Sequence, residues 1–310
     1  MIGIEQNNRQ ARPGTPFSLV RVLDWRKQDF ENRLGFRSAK YTDTRGSLTF
    51  ALAFLMWAAL YGALAIVSPA AQSYVGRILT ERGPIPYATV FVFFWALSIL
   101  LVKYAKLRYQ RKALDLAFVP RPEDFTLTPD SAYKALARMR SLVDDPKRFV
   151  LLNRIDRALA NLHNMGRVSD VSEVIRAQAE NDEDHLESSY VLVRGFIWAI
   201  PILGFIGTVL GLSSAIGHFG AVLSVSQEPD GLAASLGNVT GGLATAFDTT
   251  LLALCFALLA HLAMTGLKKK EELFLDDCKD YCHAQIVSRL RMIGGAATEA
   301  SRSVVMPEQG

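Results

Sequence analysis

Four polar side chains fall within six residues, Thr245, Asp248, Thr249 and Thr250, inside the otherwise apolar stretch from Val239 to Leu267. An aspartate at the centre of a membrane helix costs about 2.5–3.5 kcal/mol on insertion scales. Such a residue faces protein or water and is a functional candidate by default. Thr245 and Asp248 are three apart and share a helix face. Asp248 and Thr250 are two apart, about 200° around the helix, so they face nearly opposite ways. If Thr250 lines a pore, Asp248 points into packing between helices or subunits. A threonine hydroxyl both donates and accepts hydrogen bonds, so it can order water without holding a proton.

A second constellation precedes it, Pro201 followed by Gly204, Gly207, Thr208 and Gly211. The three glycines are three and four apart and line one helix face, with Thr208 one turn beyond Gly204. In lipid, small residues at that spacing let helices approach closely. Other groups carry weaker signals. Cys278, Cys282 and His283 resemble ligands by type, but a closed metal site needs about four, so free thiols are expected and no metal. His218 and His261 sit near span ends. Glu180, Asp182, Glu183, Asp184 and Glu187 form an acidic run that reads either as a cation-recruiting patch or as a solvated face. No nucleotide-binding, zinc-protease or Ser-His-Asp pattern is present, so no enzyme is expected.

The elements that must hold these residues are membrane spans. The chain has 310 residues, 50% of them hydrophobic, with mean hydropathy +0.17. The apolar residues are gathered in blocks, which excludes one compact water-soluble domain. About 20 apolar helical residues cross a bilayer, and four blocks meet that length: residues 48–68, 86–105, 191–223 and 239–267. The first begins too late for a cleaved signal peptide. The net charge of +4 is too mild for a nucleic-acid protein, and three cysteines cannot all pair. Lys and Arg cluster before span one, after span two and after span four, whereas the loop 224–238 has none. By the positive-inside rule both termini are cytoplasmic.

Residues 106–190 then form a cytoplasmic helical domain. Thr128-Pro129 reads as an N-cap followed by a first-turn proline. Further helices are expected from Pro146 to Met165, closed by Gly166, and from Ser169, running without a break into span three. At 1.5 Å per residue span three is roughly 48 Å long, so it and span four are expected to extend inward as a stalk, the latter through a helix at 268–293. Residues 1–47 form an N-terminal arm in which Trp25, Phe30, Leu34 and Phe36 suit an interfacial helix. The loop 69–85 lies outside, and residues 294–310 form a flexible tail. The expected fold class is an all-α membrane protein with four transmembrane helices.

The stretch Leu203 to Gly211 resembles the Leu-Gly-x-x-Gly-Thr-Val-x-Gly signature of the MotA/TolQ/ExbB proton channel family. Gly242 to Leu254, with Thr249-Thr250, is similar to that family's last span, and the four-span layout agrees. The resemblance is specific over about residues 170–290. It implies a homopentamer whose spans three and four line a central pore. A dimer of a single-span MotB/TolR/ExbD-like partner, carrying a membrane Asp, threads that pore. Thr208 and Thr250 match the family's pore-facing hydroxyls. The cargo would be protons or sodium ions, with no bound cofactor, and the setting the bacterial inner membrane. The sequence departs from the family pattern at Asp248, commonly apolar there, and at Thr245, an acid in ExbB-like members. Two rivals remain: a partner-independent proton carrier using Asp248, and a passive scaffold. The driven load is open between flagellar rotation, gliding, outer-membrane energisation and phage defence.

Overall fold

In a computed structural model the described residues are 41–66, 74–114, 127–160, 162, 168–225 and 229–290. Among them there is no strand, and the chain is an all-α, multi-pass membrane protein. The N-terminal arm to residue 40, with its expected interfacial helix, Gly166 and the tail from 294 onward lie outside the described residues.

Span one is α1 (Gly46–Ile66). The segment read as an outer loop contains a short helix, α2 (Tyr74–Glu81), and Gly83 turns it into span two, α3 (Pro84–Arg111). Gly83 has φ of 81°, which glycine adopts without the Cβ penalty, and Pro84 occupies the first turn, where its missing N–H costs nothing. The helical domain comprises α4 (Pro129–Leu142), a 3₁₀ turn at Pro146–Arg148, α5 (Val150–Ala160) and α6 (Val168–Ser189). Thr128 caps α4 by a reciprocal pair of bonds with Ser131. Spans three and four are α7 (Val191–Val225) and α8 (Pro229–Gln285).

Three sequence expectations are corrected. The helix before span three does not run straight through: α6 ends at Ser189, and Tyr190 makes a turn whose N–H bonds Glu187 O at 3.3 Å. The helix expected from Pro146 to Met165 is a 3₁₀ turn and a shorter helix, because Pro146 follows the capping residue Asp145 and Phe149 leaves helical geometry. The stretch 224–238 is mostly helix, since α8 already starts at Pro229. The surplus length of span three therefore lies at the end away from the helical domain. A methyl on Gly207 would stand 3.3 Å from Ile85, so Gly207 is level with the start of α3. Residues 208–225 run on past that level, roughly 27 Å at 1.5 Å per residue.

The spans pack antiparallel. Trp57 Nε1 donates to Tyr87 O at 3.0 Å near one end of the α1–α3 pair, and Ser98 Oγ donates to Thr49 O at 2.8 Å near the other. The principal core lies under the helical domain, where Met139, Phe149, Leu151, Leu152 and Ile155 pack with Phe274 and the two thiols Cys278 and Cys282 of α8. Each fully buried large apolar side chain contributes about 1.5–3 kcal/mol, so this shared core holds the domain against the C-terminal half of α8. Within it the acidic run is split. Asp182 is buried and accepts from Arg154 Nε at 2.7 Å and from Gln178 Nε2 at 2.9 Å. Glu187, by contrast, is half-exposed and pairs with Arg194 and with Lys268. Asp182 is thus neither a recruiting patch nor a solvated face.

Burial, opposed by the nearby Arg154, pushes the Cys278 thiol well above its ordinary range and the Cys282 thiol up to about 12. Thiols, not thiolates, are then present at neutral pH, and thiols are poor nucleophiles. A water-soluble maleimide at pH 7 is expected to leave both unmodified in the folded protein and to label both after unfolding, read by intact-mass spectrometry. Labelling before unfolding would contradict this core.

Candidate functional site

The two constellations meet as a seam. A methyl built on Gly204 would lie 2.5 Å from Ala253 Cβ, one on Gly207 would collide with Thr249, and one on Gly211 would lie 2.8 Å from both Ala246 N and Gly242 O. On the facing helix, a methyl on Gly242 would stand 2.8 Å from Gly211 O. Gly204, Gly207 and Gly211 therefore face α8; at Gly211 the two backbones meet directly, while at Gly204 and Gly207 the small Ala253 and Thr249 side chains of α8 fill the space a methyl would take. Pro201 sits inside α7, one turn before Gly204.

The hydroxyls of α8 bond into or along this seam. Thr250 Oγ1 crosses it, donating to Gly204 O at 3.2 Å, with Ala246 O also at 3.2 Å. Thr249 is buried and donates to Thr245 O at 2.9 Å; Thr245 donates to Gly241 O at 3.0 Å. Thr208 is partly exposed and donates to Phe205 O at 2.6 Å. Thr249 and Thr250 thus stand at the helix–helix contact, while Thr208 lies beside it on the uncovered flank of α7, next to the exposed Phe205 and Val209.

Asp248 points elsewhere. Its carboxylate forms an ion pair with Arg82 Nε at 2.8 Å and accepts from the Tyr74 hydroxyl at 2.7 Å. Both partners come from α2 and its junction with α3 in the same chain. The bond to Asp248 raises the Tyr74 pKa above the ordinary phenol value, since losing the proton would place two anions together. Arg82 and Tyr74 were not singled out in the sequence; Tyr74 and Arg82 lie eight apart in a short segment with no apolar block, and nothing but the buried acid itself called for a cation.

A cavity of about 530 Å³ opens between this junction and the seam, lined by Arg82, Ile85, Gly207, Ser214, Thr245 and Thr249 among others. His218 also lines it; its Nδ1–H donates to Ser214 O at 2.7 Å. No cluster of three or more metal-ligating side chains occurs among the described residues. His283, beside the buried thiols, lies exposed on the opposite face of α8.

Four long apolar helices, the last two closed on a hydroxyl-bearing small-residue seam, define a multi-pass helical membrane protein. Residues 143–279 match the model of the MotA/TolQ/ExbB proton channel family, a stretch that begins in the helical domain and ends within α8. Neither a curated protein nor a solved structure matched the sequence.

The seam generates a contrast between two glycines of one helix. Gly211→Ala drives a methyl into the α8 backbone, whereas a methyl on Gly217 meets nothing within 4 Å. Overpacking of that kind costs about 1–3 kcal/mol. Gly211→Ala is expected to lower the thermal midpoint in detergent and Gly217→Ala to leave it unchanged; equal midpoints would show that the seam is loose.

Proposed function

We propose that this chain is the channel-forming subunit of a proton-driven motor of the bacterial inner membrane, with protons or sodium ions as cargo. Five copies surround a pore lined by α7 and α8, both termini face the cytoplasm, and a dimer of a single-span partner with a membrane aspartate stands in the pore. The match of residues 143–279, which ends within span four's inner extension, carries this reading. Two features support it. The flanks of α7 and α8 carry Trp198, Phe205, Phe247, Leu258 and Leu262, all exposed in the single chain, as surfaces covered by neighbouring copies or lipid would be. Thr208 and Thr250 supply hydroxyls that can order water beside the path without trapping the ion.

The state of Asp248 favours a partner-dependent channel over a self-sufficient carrier. A carrier carboxylate must exchange its proton with both sides of the membrane, and this one is held by a guanidinium and a phenol. Ion motive force of about 2.3 kcal/mol per charge per 100 mV would then be delivered to the partner's aspartate.

Proton flux into vesicles tests the reading. Flux is expected only with the partner co-expressed, and to be lost in Thr250→Val and in Thr208→Val. Asp248→Asn is expected to keep partner-dependent flux while losing about 1–3 kcal/mol of stability, the cost of leaving a charged partner unsatisfied. Flux without a partner that Asp248→Asn abolishes in a folded protein would instead establish the carrier.

A further inference from the structure

Charges bracket the same uncharged slab on α3 and on α8. From Pro84 to Val102 α3 carries no Asp, Glu, Lys or Arg, and neither does α8 from Thr249 to Leu267. At 1.5 Å per residue each stretch is roughly 28 Å long, which matches a hydrocarbon core of about 30 Å. At one boundary Arg82 pairs with Asp248 at 2.8 Å. At the other, Lys103 of α3 pairs with Glu271 of α8 at 3.5 Å, and both side chains are buried. The Tyr190 hydroxyl also donates to Glu271 at 2.7 Å. The two helices therefore leave the slab together.

Past that second boundary the cations turn outward. On α3, Leu101, Tyr104, Arg108 and Arg111 recur at spacings of three and four, so they form one stripe, and all are exposed. On α8, Leu262, Gly266 and Lys270 recur one turn apart and are exposed as well. The stripes lie against each other. Lys270 Nζ stands over the Tyr104 ring, 5.3 Å from its centroid, and Arg111 Nη2 donates to Lys270 O at 3.2 Å. That bond uses one donor of a guanidinium that has several. A methyl on Gly266 would meet nothing within 4 Å, so open space adjoins Lys270 on the side of the slab.

The positive charge here is not cancelled. Glu271 is taken by Lys103, and both Glu187 and Glu272 are taken by Lys268. Among the described residues no carboxylate pairs with Arg108, Arg111 or Lys270. Each stripe thus passes from apolar to cationic at one level, with an aromatic ring between the two zones.

We propose that this surface binds the headgroup of an anionic phospholipid, in the leaflet on the side of the helical domain. Arg108, Arg111 and Lys270 hold the phosphate by charge-assisted hydrogen bonds. Tyr104 sits at headgroup level, where interfacial aromatic rings collect. The acyl chains lie along Leu101 and Leu262 and in the space beside Gly266. Basic clusters between span ends are suited to anionic headgroups; a zwitterionic lipid brings its own cation and gains less. An acidic protein segment would answer the cations, but not the apolar half of the stripes inside the slab. The lipid braces the ends of spans two and four against each other where they enter the helical domain.

Native mass spectrometry of the full chain, stripped of lipid in detergent and titrated with phosphatidylglycerol or phosphatidylcholine, tests the site. Phosphatidylglycerol is expected to bind more tightly. Arg108→Gln, Arg111→Gln and Lys270→Gln are each expected to weaken it about fivefold and to leave phosphatidylcholine unchanged. Lys134→Gln/Arg138→Gln/Lys147→Gln, which removes exposed charge from the helical domain, is expected to alter neither lipid. Acetylation of Lys270 by a water-soluble reagent reports occupancy. It is expected in the stripped protein, and is expected to be blocked by phosphatidylglycerol but not by glycerol phosphate or inorganic phosphate. Equal affinity for the two lipids, undiminished binding in the three single variants, or weakened binding in the distant triple variant would overturn the site. Blocking by glycerol phosphate or inorganic phosphate would make it a small-anion site. Lys270 already blocked in the stripped protein would show that a protein surface covers it, and would likewise overturn the lipid. None of these readouts involves ion flux, so the site stands or falls separately from the channel.

Discussion

The direct backbone contact of spans three and four is the constraint on which the other features depend. Lipid tails give helices no hydrophobic reason to associate, so association must come from close packing. Gly204, Gly207 and Gly211 let α7 reach the α8 backbone, and Thr250 bonds Gly204 O because nothing stands between them. Once that pair is fixed, α3 packs against both helices, and α1 packs on α3. The threonines stand in a dry contact at one edge and beside an open cavity at the other, because the same small residues that permit the contact leave room around it.

Two clusters of buried charge lie at opposite ends of the span bundle. At one end Asp248 is answered by Arg82 and Tyr74; at the other Lys103 is answered by Glu271 and Tyr190. Removing one partner from a buried pair costs more than forming the pair contributes. Each cluster therefore specifies position: the first holds the α2 segment against span four, and the second holds the α6–α7 turn between spans two and four.

The spans, the resemblance over residues 143–279 and the glycine face were legible in the sequence because apolar length and the three-and-four spacing are local signals. The direction of Asp248 away from Thr250 followed from helical geometry as well. Its partners did not, because Arg82 and Tyr74 reach it across more than 160 residues of chain. Lys103 announced itself as a cation inside an apolar block, yet its partner Glu271 lay in a charged stretch that reads as ordinary solvated helix. The turn at Tyr190 was invisible for a related reason. No glycine or proline marks it, and tertiary bonds from the Tyr190 hydroxyl to α8 accompany the break.

Spans three and four differ in one mechanical respect. The chain of span three is jointed at Tyr190, whereas α8 runs unbroken for 57 residues, roughly 85 Å at 1.5 Å per residue. An unbroken helix offers no joint at which a tilt is taken up, whereas α7 meets α6 at the Tyr190 turn. A tilt imposed on α8 beside Asp248 is therefore carried along the same helix toward the cluster at Glu271 and Lys103.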